Sequence, residues 1–160
     1  MSFIQNIHYF RDEALRNRKP PYERVVVFDE AQRAWTPDQA TKFMHTKRGH
    51  SNFNMSESEF LISVMDRHDD WCVIVCLIGG GQEINTGEAG LIGWSRALKE
   101  RFADWDLYLS NRLSDPDFAS DLPAAEMLQD CTWRKGTSFI CLCRCGRFGR
   151  RTLCFRGPCC

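Results

Sequence analysis

The sequence predicts an α/β protein built on a parallel sheet. Two runs carry that expectation: Val25 to Phe28 (VVVF) and Trp71 to Ile78 (WCVIVCLI). Both are apolar without alternation, the pattern of strands buried on both faces. Helical periodicities lie before, between and after them. Strands that alternate with helices form parallel sheets joined by right-handed crossovers.

The elements follow in order. Phe3, Ile7, Phe10 and Ala14 recur at helical spacing, and Pro20-Pro21 ends that helix. The VVVF run is the first strand. A second helix is expected from Thr36-Pro37 to about Lys47, followed by a polar loop from Gly49 to Asn54. Ser56 and Glu59 have the spacing of a capping box, with Met55 placed as a hydrophobic staple. Phe60, Leu61, Val64 and Met65 give the helix that follows an apolar face. Asp66 to Asp70 is a charged turn leading into the second strand, which ends at Gly79-Gly80-Gly81. Leu91, Trp94, Leu98 and Phe102 mark a further helix, and Asp106 to Ser110 is a short strand.

Composition narrows the class. An apolar content of 43% with 12% aromatics suffices for a core. The chain has no apolar run long enough to span a membrane and no secretion-signal pattern, so a cytoplasmic protein is expected. The net charge of zero conceals an asymmetry. Residues 131–160 hold 7 Lys or Arg and no Asp or Glu, which leaves 14 basic against 21 acidic side chains, or −7, in residues 1–130. Seven of the 9 cysteines also fall at or after position 131. An odd count without an export signal argues against a disulfide framework.

Two motifs carry chemistry. In VVVFDEAQ, a carboxylate sits at the C-terminal tip of a buried strand, where α/β folds bind ligands. Asp29 is placed to hold Mg²⁺, and Glu30 to orient and polarise an attacking water. In CLIGGGQEINTGEAGL, Gly79, Gly80 and Gly81 allow backbone N–H groups to approach a ligand, and Gln82 is expected to reach towards a γ-phosphate. This stretch is neither a dinucleotide fingerprint, since Ile84 occupies the third glycine position, nor a phosphate-binding loop, since no Gly-Lys-Ser/Thr follows. His68 with Asp66, Asp69 and Asp70 reads as a solvated turn rather than a metal site.

Together FIQNIHYFRDEAL, VVVFDEAQRAW, the long stretch from Ser56 to Trp94 and WDLYLS resemble the Schlafen group 3-like DNA/RNA helicase domain, over roughly residues 1–120. The resemblance implies a partial RecA-like P-loop NTPase fold that uses ATP and Mg²⁺ and acts on nucleic acid. Asp29 and Glu30 match its Walker B pair and Gln82 a motif-III-like glutamine. Gln32 and Arg33 follow the acids as in the family and are expected to face the nucleotide or couple to nucleic acid. The family's Gly-Lys-Thr loop (Walker A) is absent from these 160 residues. The expectation is a fragment inactive alone, with Mg²⁺ and ATP held by the intact family member and none bound by the fragment itself, whose phosphate loop lies on an upstream piece. The first rival is a non-enzymatic interaction module that reuses the fold.

The tail from residue 129 to 160 is expected to be irregular and non-native. Cys141, Cys143 and Cys145 lack the spacing of zinc ribbons, and no histidine accompanies them. A second rival reads this Cys/Arg-rich segment as a metal- or nucleic-acid-binding element. The preferred reading is a frameshift near Gln129 to Cys131, leaving residues 1–128 as the helicase-like core. In the frame that joins each third base to the next two, Cys codons become Leu, Met or Val, and Phe codons become Phe, Leu, Ile or Val. The tail then turns aliphatic, as a buried strand should be.

Overall fold

The computed structural model describes residues 7–48, 53–78 and 90–110, together with the backbone of 132–134 and 139–145. Its elements are α1 (Ile7–Arg16), β1 (Val25–Phe28), a 3-10 turn (Ala31–Arg33), α2 (Pro37–Arg48), α3 (Glu57–Met65), β2 (Trp71–Leu77), α4 (Gly90–Arg101), β3 (Asp106–Ser110), β4 (Thr132–Arg134) and β5 (Phe139–Cys145). The helices and strands expected from residues 7–110 are all present, and the class is α/β.

Local chemistry explains the helix starts. Ser56 caps α3 by accepting from the Glu59 amide at 3.1 Å, while the Glu59 carboxylate accepts from the Ser56 amide, a complete capping box. The Thr36 hydroxyl accepts from the Gln39 amide, and Pro37 opens α2 where a missing N–H costs nothing. At the far end of α1, the Arg67 guanidinium donates to the carbonyls of Ala14, Asn17 and Lys19 and so satisfies groups the helix cannot.

The sheet departs from the all-parallel expectation. Its order is β1-β2-β5-β3-β4. β1 and β2 pair in parallel, with Val25 opposite Val73 and Phe28 opposite Cys76. β5 runs antiparallel to both β2 and β3, so β2 and β3 point the same way with an inverted strand between them. β4 pairs in parallel with β3. The tail expected to be irregular therefore supplies a central strand. The physical reason is backbone pairing: the facing edges of β2 and β3 carry N–H and C=O groups that need partners, and residues 139–145 provide them.

The described helices cover one face of the sheet. Phe28, Cys72, Ile74, Cys76 and Leu109 pack with Leu61, Ile62 and Met65 of α3 and with Trp94, Ala97 and Leu98 of α4. A second cluster joins Ala14, Ala40, Met44, Phe53, Phe60 and Val64 among α1, α2 and α3. On the other face, Val25 and Val27 are 50% and 58% exposed, and Trp71 and Leu77 are exposed too. This corrects the expectation that the unbroken VVVF run is buried on both faces. Its alternate side chains meet α1 and α4 on one side and no described helix on the other.

Candidate functional site

β1 ends at Phe28, whose ring packs against Phe10 of α1 and Trp94 of α4, each at 6.0 Å between centroids. The next residue, Asp29, is exposed, and its Oδ1 accepts from the Glu30 amide at 3.0 Å. Glu30 then takes φ 54° and ψ 41°, the left-handed region, where an L-residue is strained by about 1–2 kcal/mol. No other non-glycine residue among those described has a positive φ. Strain of this kind clusters at functional sites. Immediately afterwards the chain makes the 3-10 turn, with Arg33 N–H donating to the Glu30 carbonyl at 2.9 Å and Ala34 N–H to that of Ala31 at 3.3 Å.

The Glu30 carboxylate is held from its own turn. Gln32 Nε2 donates to Glu30 Oε2 at 2.7 Å, and Arg33 Nε approaches the same oxygen at 3.5 Å. Gln32 is buried and Arg33 exposed. The contact to buried Gln32 therefore fixes Glu30 more firmly than the ion pair, which water screens. Glu30 itself is half-buried, with one side open to solvent.

Distant elements pin both ends of this turn. From α4, the indole N–H of Trp94 donates to the Ala31 carbonyl at 2.8 Å. From α3, Glu57 Oε2 accepts from the Trp35 amide at 3.1 Å, and Glu57 N–H donates to the Trp35 carbonyl. Glu57 is buried against Arg11, whose guanidinium lies 3.3 Å from its carboxylate and 4.6 Å from the centre of the Phe43 ring. None of Trp94, Glu57 or Arg11 was singled out from the sequence as part of the site. The helical spacing marked Trp94 as a core residue and carried no sign of its polar contact.

The structure thus brings Asp29, Glu30, Gln32 and Arg33 together at the C-terminal end of β1. Gln82, Gly79, Gly80 and Gly81 lie outside the described residues. So do Cys131, Cys154 and the other residues beyond 145. Among the described residues no cluster of three His, Cys, Asp or Glu side chains is suited to a metal ion. The charged turn before β2 is engaged structurally: His68 Nε2 contacts the Glu23 carbonyl, Asp66 accepts from the Trp105 indole, and Asp70 pairs with Arg24. No helix among the described residues is long and apolar enough to cross a membrane.

An α/β sheet with an acidic pair on a strained turn beyond a strand tip defines a helicase-like domain once the family comparison is added. Residues 1–140 match the family described as Schlafen group 3, DNA/RNA helicase domain, and the chain belongs to that family. The match extends past residue 128, where the sequence reading ended the core. No curated protein and no solved structure matches.

Proposed function

We propose that this chain is the Mg²⁺- and water-handling part of a helicase-like ATPase that acts on DNA or RNA. The observation that carries the reading is the Asp29–Glu30 pair at the C-terminal tip of β1, with Glu30 strained and held by Gln32 and Arg33. The donor set fits Mg²⁺, which keeps most of its waters and needs only one or two carboxylates beside the phosphates of a nucleotide. Asp29, exposed at the strand end, would hold the ion, which would neutralise phosphate charge. Glu30 sits where it accepts a proton from, or orients, a water. Gln32 fixes its direction, and exposed Arg33 faces solvent for contact with phosphate charge.

Within these 160 residues no Gly-Lys-Ser/Thr loop is present to grip a triphosphate. The reading therefore holds that the chain by itself does not turn over ATP and that a phosphate-binding loop comes from another segment. The purified chain is expected to show no Mg²⁺-dependent ATP hydrolysis above buffer. Robust hydrolysis that vanishes in Glu30→Gln would overturn the inactivity while keeping the site. Hydrolysis equally fast in Glu30→Gln and Asp29→Asn would overturn the site.

One observation favours a different reading. Val25, Val27 and Trp71 present apolar surface on one side of the sheet, as an interaction module would. Partner binding indifferent to nucleotide and to Asp29→Asn would favour that alternative.

A further inference from the structure

We infer that Trp94 is a positioning residue for the acidic pair, an inference that rests on the reading just given. The same indole touches the chain on both sides of Asp29–Glu30. Its ring packs on Phe28, the last residue of β1, with centroids 6.0 Å apart. Its Nε1–H donates to the carbonyl of Ala31, the first residue of the turn, at 2.8 Å. Trp94 is 1% exposed, so this bond is made away from water, where a polar group without a partner is costly.

Between these two fixed points only Asp29 and Glu30 remain to reverse the chain. An L-residue in the left-handed region returns to ordinary backbone space unless its surroundings hold it. Ala31 O accepts from both Trp94 and the Ala34 amide, which fixes the plane of the peptide that follows Ala31. Local bonds alone do not account for the geometry, because the Asp29 carboxylate and the Gln32 amide move with the turn if it relaxes. Trp94 is anchored elsewhere, on α4, whose Ala97 and Leu98 lie in the same buried core cluster as residues of α3 and β2. It therefore supplies an external reference that sets where the two carboxylates point.

The test uses the full chain and two readouts. Trp94→Phe keeps a ring against Phe28 and removes the N–H. Trp105→Phe is the control, because it removes an indole N–H bonded to Asp66 Oδ1 at 2.8 Å, away from the acidic turn. Amide hydrogen exchange reads the turn directly. The Arg33 and Ala34 amides should exchange roughly 2- to 12-fold faster in Trp94→Phe, the factor corresponding to the net contribution of one lost hydrogen bond, and should be unmoved in Trp105→Phe. Mn²⁺ alone, followed by paramagnetic broadening of amide resonances, reads the acids. Broadening should centre on Asp29 to Ala31, need a higher Mn²⁺ concentration in Trp94→Phe, and disappear in Asp29→Asn. If broadening is absent or survives Asp29→Asn, the Mg²⁺ reading falls, and the exchange data still decide the role of Trp94. If both tryptophan variants change the Arg33 and Ala34 amides alike, or neither does, Trp94 is an ordinary core residue and the inference is overturned.

Discussion

At Glu30 a glutamate occupies backbone space that suits glycine, and the strain is retained beside the acid proposed to handle water. Replacing it with glycine should raise unfolding stability by about 1 kcal/mol, read as a higher denaturant midpoint, while removing the carboxylate. A Glu30→Gly variant less stable than the parent would show that the Gln32 and Arg33 contacts outweigh the backbone strain. Asp70 gives a pH-dependent case. The Arg24 guanidinium, and then the Trp71 amide, hold its carboxyl below the ordinary value of 3.8. A depressed folded pKa contributes stability that is present above the unfolded value and is lost as pH falls through the folded one. The stability difference between the parent and Asp70→Asn should thus be constant near neutral pH and shrink once the solution is acidified below 3.8. A difference that persists at lower pH would assign it to something other than the charge. Asp29 and Glu30 were legible in the sequence because an acid after a buried strand is a local pattern. The left-handed φ of Glu30 and the burial of Gln32 were not, because they arise only in the folded chain, where Ala31 between them meets Trp94 across 63 residues of sequence.

Among the elements, α3 was the most legible. Its capping box, apolar face and staple residue are all local signals, and Met55 packs against the buried cluster to which Phe60 belongs. Ser56→Ala should cost about 1 kcal/mol in unfolding stability, because it leaves the Glu59 amide without its cap. The buried Glu57 on the same helix is a sharper test of long-range order. Removing one partner of a buried pair typically costs about 3–5 kcal/mol, so Arg11→Met should destabilise far more than Ser56→Ala. Similar losses would mean that Glu57 finds other partners readily. β1 was placed correctly but its surroundings were not. Continuous apolar character says that both faces tolerate burial, and the exposure of Val25 and Val27 shows that tolerance is not cover. β5 was illegible for a different reason: its place between β2 and β3 is set by long-range pairings, such as Trp71 with Cys145 and Asp106 with Cys143, which no local periodicity encodes.

For the whole molecule, charge and cysteine usage change together near residue 130, and the acidic body gives way to a basic tail. The coding DNA tests the frameshift expected there. Translated in the shifted frame from about Gln129, it should yield an apolar strand followed by an arginine-bearing stretch. Immediate stop codons would end that idea and establish the Cys/Arg-rich tail as a genuine part of the protein. The sheet also has a kinetic consequence. β2 and β3 are complete once Ser110 has been made, yet the strand that joins them begins at Phe139. At synthesis rates of about 5–20 residues per second, the ribosome spends on the order of seconds delivering the intervening segment. During that interval the edge of β2 destined for the middle of the sheet, made well before, stands open to any extended neighbour, including that of another nascent copy. An extended segment that reaches such an edge before residues 139–145 do would leave the sheet without its middle strand.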